Sequence, residues 1–339
     1  MSDAPTAGAA PLVRPRGSLR RWLAALAVII VLAVLPLVFR GSYARSILIV
    51  CALNVLLAIG LDFVLGYAGQ LNLGQSAFFG IGAYVSTLLI TLSGVDFWLA
   101  FIAGTLGAGL AGVALSLFAV RLRGHYLAIA SMGFAAIVYQ ILLNWISLTQ
   151  GPLGIYGIPP PPAWRLPGIG RVDFGDTANF FWLVAAVALV VYALLRNLVR
   201  SPAGEALTAL REDEVSAASL GVNGPRWKVF AFGIGSAVAG AAGCFYASFV
   251  GTLVPDSFFI TESFNILAMV IVGGVGTLVG PVGGAILLTV LPELLRGIGD
   301  ARLVVYGIAL TLVVLFMPGG MAQAAQRLAG RCRRIGPPP

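Results

Sequence analysis

The stretch Ser46-Ile47-Leu48-Ile49-Val50-Cys51-Ala52-Leu53-Asn54-Val55-Leu56-Leu57-Ala58-Ile59-Gly60-Leu61-Asp62-Phe63-Val64-Leu65 carries a single charged side chain, Asp62. About 20 such residues in a row, wound as a helix, cross the hydrocarbon core of a bilayer. Before it, residues 23–39 form a second apolar run, and further runs follow almost to the C-terminus. The reading is an all-α, polytopic membrane protein.

Composition agrees. Of the 339 residues, 59% are hydrophobic and 10% charged, whereas a soluble domain carries about 25% charged residues. The net charge of +8 does not point to nucleic acid, because the basic residues sit between apolar runs or at the ends. That distribution sets orientation in a membrane. Cys51 and Cys244 lie inside apolar spans and no CxxC spacing occurs, so the cysteines read as small packing residues. Lys228 is the only lysine and is not preceded by a phosphate-binding GxxxxGK loop. His125 is the only histidine, which excludes a multi-histidine metal site. The chain reads as neither an enzyme nor a cofactor binder, and any ATP used for transport is hydrolysed on another polypeptide.

Ten transmembrane helices are expected, some short or broken: 22–39, 46–66, 73–92, 97–120, 126–146, 178–195, 229–250, 263–275, 281–295 and 303–317. The first is a membrane helix, not a signal peptide, since Arg40 follows it where a small-residue cleavage site belongs. An Ala/Pro-rich leader of residues 1–21 precedes the transmembrane domain, 22–318, and a tail of residues 319–339 follows it. Glycines interrupt 263–295, leaving open whether it is one broken helix or two. An even number of spans with both termini cytoplasmic leaves only Arg40, Arg45, Arg165, Arg171, Arg296 and Arg302 outside. The other 15 of the 21 basic residues then lie inside, as the positive-inside rule requires.

Two loops are long. The outer one, 147–177, contains Pro159-Pro160-Pro161-Pro162 and reads as a stiff cap. The inner one, 197–226, contains helix-compatible stretches around Gly204–Leu210 and Asp213–Ala218 that lie outside any span.

From the end of the second span into the third runs Gly66-Tyr67-Ala68-Gly69-Gln70-Leu71-Asn72-Leu73-Gly74-Gln75-Ser76-Ala77-Phe78-Phe79-Gly80. Its amides Gln70, Asn72 and Gln75 are costly against lipid and must face protein or a water-filled path. Glycines beside them permit a broken helix where backbone lines a cavity. Lining of a substrate path and hydrogen bonding within a packed core both satisfy this. A second glycine cluster, Gly273, Gly274 and Gly276 followed by Gly280 and Pro281, marks a helix break or a close packing point. Asp62 is the best-placed acid for an ion-coupled carrier, and a polar packing contact near the inner face is the simpler reading.

At Gly69-Gln70-Leu71-Asn72-Leu73-Gly74-Gln75 the chain resembles the M-type (LivM-like) permease subunit of branched-chain amino-acid ABC importers. Further matching stretches occur in order: Arg121–Ile129, Leu148–Ile155, Gly204–Glu214, Ala217–Asn223 and Gly273–Pro281. The resemblance covers about residues 47–317. It implies a multi-pass protein of the bacterial inner membrane that pairs with a homologous second permease (LivH-like). Two cytoplasmic ATPase subunits would bind ATP and Mg, and an extracytoplasmic binding protein would deliver the substrate, with no nucleic acid involved. It also implies a cytoplasmic coupling helix within 213–223, with Glu214, Ala217, Ala218 and Gly221 as candidate contacts to the ATPase. Only Ala217 and Gly221 match the common importer motif in register. Urea or short-amide uptake is the alternative within the family, and an ion-coupled secondary transporter the alternative outside it.

Overall fold

The computed structural model describes residues 41–119, 122, 124–166 and 170–297, together with single positions from 304 to 321. The expected first span, the leader, most of the expected tenth span and almost all of the tail lie outside these residues. Among the described residues eight helices are long and apolar enough to cross a membrane.

The first helix among the described residues is α1 (Ser42–Asp62), which widens into a π-helical turn, Phe63–Tyr67. An irregular segment then leads to α2 (Gln75–Ser93), followed by α3 (Phe97–Ala119) and α4 (His125–Asn144). After the 144–176 connection come α5 (Thr177–Val199), the two short helices α6 (Pro202–Glu212) and α7 (Glu214–Ser219), and the long α8 (Gly224–Val250). The bundle closes with α9 (Ile260–Gly273) and α10 (Val279–Leu294). Helix α8 is central, packed against α1, α2 and α3.

Why α8 sits at the centre follows from its sequence. Lipid tails are as apolar as leucine, so helices in a membrane associate through close van der Waals packing at small residues. The α8 residues Gly235, Gly240 and Gly243 approach Gly60 of α1, Ala108 of α3 and Phe79 of α2 respectively. At the α2 crossing, a side chain on Gly82 would fall 2.2 Å from the Gly240 carbonyl oxygen. Phe232 and Phe245 fill the spaces beside these contacts and are fully buried. Cys244 is buried in the same layer and Cys51 on α1, both as free thiols.

The structure resolves the ambiguity over 263–295 in favour of two helices. Gly273 packs on Gly280, and Gly284 on the Met269 carbonyl, so α9 and α10 lie antiparallel around a sharp break. The break is forced by backbone geometry, since Gly276 has φ +79° and Leu278 φ +50°. Several boundaries shift from the expected ones. Helix α1 starts at Ser42, placing Arg45 in its first turn, near Asp176 at 3.9 Å. Helix α8 begins at Gly224 because Asn223 caps it, its side-chain oxygen accepting from Arg226 N–H at 3.2 Å.

Opposite the α6–α7 end, the 147–177 loop is held by more than proline stiffness. Strand β1 (Ile155–Tyr156) pairs antiparallel with β4 (Thr252–Leu253), just past α8. Strands β2 (Trp164–Leu166) and β3 (Gly170–Val172) form a hairpin. Trp164 packs against Trp98 with ring centroids 4.8 Å apart, tying the hairpin to the start of α3.

Candidate functional site

Three features meet where α1, α6 and the α9–α10 break converge: the amide-bearing segment, the α6–α7 pair and the break itself.

In the amide segment all three side chains are buried: Gln70 is 4% exposed, Asn72 and Gln75 0%. Two of them knit the segment to its surroundings. Asn72 Oδ1 accepts from Gly74 N–H at 2.8 Å, and its Nδ2 donates to Gln75 Oε1 at 3.0 Å. Gln75 Nε2 in turn donates to the Gly235 carbonyl of α8 at 3.4 Å. Gln70 differs. Its backbone N–H reaches the Val64 carbonyl at 3.1 Å, but its side-chain Oε1 is buried with no hydrogen-bond partner among the described residues. A buried acceptor in that condition is costly unless water or a ligand reaches it.

Three serines complete this layer, none of which the sequence alone assigns a role. Ser131 Oγ on α4 accepts from Leu73 N–H at 2.9 Å. Ser263 Oγ on α9 accepts from Ser76 N–H at 2.9 Å and donates to Ser76 Oγ at 2.8 Å. They are single hydroxyls in apolar spans, a signal too common to single out without knowing which backbone groups a helix break leaves unpaired. The amide segment thereby joins α2, α4, α8 and α9.

The α6–α7 pair is a built feature, not a slack loop. Asp213 caps α7, with Oδ1 accepting from Val215 N–H at 2.9 Å and from Ser216 N–H at 3.2 Å. Ser216 Oγ donates to its other oxygen at 2.8 Å. These bonds, that of the Ser216 hydroxyl first, hold the Asp213 carboxyl below the ordinary carboxylate range. Helix α7 ends at Ser219, four residues short of the expected 213–223 segment, because Gly221 turns left-handed at φ +87°. There Gly221 N–H bonds to the Ala218 carbonyl and Val222 N–H to that of Ala217, the paired closure of a glycine-terminated helix.

Of the residues expected to meet a partner, Ala218 is exposed and Ala217 is buried within the chain's own packing, so Ala217 supports the helix from beneath. Glu214 is turned to Lys228 at the base of α8, 2.9 Å away. Val215 and Leu220, in contrast, are 71% and 84% exposed. Two large apolar side chains on a short, doubly capped helix outside the spans present surface for a partner to bury.

At the break, Asp62 is fully buried. Its Oδ1 accepts from Gly276 N–H at 2.6 Å and its Oδ2 from Leu278 N–H at 3.1 Å. The carboxylate thus fills a nest of backbone amides. Thr277 Oγ1 accepts from Gly280 N–H at 3.0 Å, serving the first turn of α10. Of the second glycine cluster, Gly273 and Gly280 make the close helix contact, Gly274 and Gly276 form the turn, and Pro281 lies buried in the first turn of α10. No group of three or more potential metal-ligating side chains occurs among the described residues.

Comparison with known proteins identifies the family. Residues 43–317 match the family described as the branched-chain amino acid transport system permease component. The chain is 35% identical over 323 residues to the high-affinity branched-chain amino acid transport system permease protein LivM of Salmonella typhimurium, covering 90% of this chain and 75% of that one. It is 38% identical over 284 residues to LivM of Escherichia coli K12, covering 79% and 67%. To the high-affinity branched-chain amino acid transport system permease protein LivH of Salmonella typhimurium it is 29% identical over 291 residues, covering 78% of this chain and 90% of that one. No solved structure matches it. The chain belongs to the branched-chain amino acid transport permease family.

Proposed function

We propose that this multi-pass protein is an inner-membrane permease subunit of an ABC importer for branched-chain, aliphatic amino acids. It builds the translocation path with a homologous second permease of the LivH type. An extracytoplasmic binding protein delivers the substrate, and two separate cytoplasmic ATPases bind ATP and Mg and hydrolyse the nucleotide. The chain itself performs no catalysis.

The observation that carries this reading is the α6–α7 pair. A membrane bundle without a GxxxxGK loop holds out a rigid helix with Val215 and Leu220 exposed at one end. Closure of an ATPase on that helix is the means by which hydrolysis would reach the path. Gln70, whose buried Oε1 has no hydrogen-bond partner among the described residues, is the amide best suited to border the path, while Asn72 and Gln75 support its wall.

The test is uptake of labelled leucine by vesicles holding the assembled transporter and its binding protein. ATP-dependent uptake that survives an uncoupler is the expected result. Uptake abolished by the uncoupler would instead indicate an ion-coupled carrier. ATP-dependent uptake of urea that leucine does not inhibit would shift the substrate class to short amides.

A further inference from the structure

Helix α6 is joined to the α9–α10 break by a continuous polar and backbone contact. Arg211, one residue before the end of α6, donates from Nη1 to the Gly66 carbonyl at the π-helical turn that ends α1. Its aliphatic stem lies on Gly69, whose missing side chain would meet Arg211 Cγ at 3.1 Å. The same guanidinium covers Gly276, where a Cβ would fall 2.9 Å from Nη1. Gly66 in turn leaves no room between Asp62 and the break. A Cβ there would lie 2.5 Å from both Asp62 Oδ1 and Gly276 N. Asp62 then holds the break through the Gly276 and Leu278 amides.

We propose that Arg211 and Asp62 are positioning residues of the transport cycle, relaying displacement of α7 to the α9–α10 hairpin. The inference rests on the reading of α7 as the ATPase contact. Its physical basis is the lack of compliance along the chain of contacts. Asp213 caps α7 two residues after Arg211, and beyond Arg211 every step is backbone against backbone or a charged side chain on an amide. Packed elements of this kind switch between discrete arrangements and do not yield gradually. The break is the element able to move, because Asp62 supplies from a different helix the acceptors that the turn at Gly276 and Leu278 lacks. Arg211 also places a cation against a carbonyl, a role that needs its length and its planar donor set.

The test uses the complete transporter, with both permeases, ATPases and binding protein, in vesicles with labelled leucine as the probe. Asp62→Asn replaces one acceptor by a donor facing the Leu278 N–H. Arg211→Lys keeps the charge and the stem but loses the fork. Leucine moved per ATP hydrolysed should fall roughly tenfold in each, as ordinary coupling free energies between sites allow, while ATP hydrolysis persists. Because both act through one loop, the double variant should be no worse than the poorer single one. Thr289→Val serves as control. It removes the acceptor of the 2.9 Å bond from Asn54 between the same α1 and α10, far along the helices from the joint, and should leave the ratio unchanged.

An unchanged ratio in both joint variants, or an equal fall in Thr289→Val, overturns the relay. So does failure of both joint variants to assemble, since the joint would then be required only for folding. Absence of ATP-dependent uptake in the wild-type assembly would instead remove the importer reading itself.

Discussion

Asp62 and Gly276, 214 positions apart in the chain, are joined by a 2.6 Å hydrogen bond in which the glycine N–H donates to a fully buried carboxylate. The one acid within α1 thereby supplies acceptors to the α9–α10 break. An ion-coupling carboxylate would need access to the coupled ion, whereas both Asp62 oxygens are taken up by backbone amides of the α9–α10 break.

Gln70 and Asn72 should separate cleanly although they are two residues apart. Asn72→Leu strands the Gly74 N–H and the Gln75 amide, at a cost of about 1–3 kcal/mol. Thermal unfolding in detergent should show a lowered midpoint. Gln70→Leu removes an acceptor with no partner among the described residues, so the midpoint should hold or rise while leucine uptake falls several-fold. A midpoint lowered equally in both would place Gln70 among the purely structural amides.

Gly221→Val tests the end of α7. Nothing lies within 4 Å of the position where its Cβ would stand, so the penalty is confined to the left-handed backbone and amounts to about 1–2 kcal/mol. The variant should reach the membrane normally, because the residue lies outside the spans. Substrate-stimulated ATP hydrolysis should drop sharply, with the basal rate of the free ATPases unaffected. Wild-type stimulation would show that the geometry of this turn is not needed for coupling.

Helix packing at α8 predicts opposite outcomes for two glycine-to-alanine changes. Gly82→Ala drives a methyl into the Gly240 backbone, an overpacking cost of about 1–3 kcal/mol. Gly133→Ala on α4 meets open space and should be neutral, or stabilise by about 0.5–1 kcal/mol through helix propensity. Relative expression and unfolding midpoints of the two purified variants measure the difference.

The pH dependence of α7 follows from Asp213. Its carboxyl is held below the ordinary carboxylate value by the bonds from Ser216 and Val215. A depressed pKa contributes stability that is complete above the unfolded value, near about 4, and lost as pH falls through the lower folded value. The cap should therefore be constant across neutral and mildly acidic pH. Amide exchange at Val215 and Ser216, measured as a ratio to an Asp213→Asn reference, should stay flat between about pH 5 and 8. A drop in protection within that window would mean that the carboxyl titrates higher than its bonds imply.

Orientation is open to direct labelling. In a Cys332→Ser background, a cysteine replacing Val215 should react with an impermeant reagent only from the cytoplasmic side, and one replacing Ala163 only from the outside. The buried Cys51 and Cys244 will not interfere. Labelling of both from one face would overturn the assignment of sides.

The sequence by itself determined the membrane class, the approximate positions of the eight described spans, the amide segment and the position of α7. Each is a local property: a run long enough to cross a bilayer, amides too polar for lipid, or an acidic cap followed by a glycine at the right distance. Proximity across the chain could not be read this way. Apolar helices are interchangeable as patterns, since lipid exerts no preference for which of their faces meet. The antiparallel contact of α9 with α10 depends on Gly273 meeting Gly280 and Gly284 meeting Met269. The same holds for Ser76 with Ser263, and for Asp62 and Arg211 at either side of Gly66 and Gly276. Only the tertiary structure decides these pairings, because an unpaired amide or carbonyl inside a membrane must take its partner from whichever helix packing brings within reach.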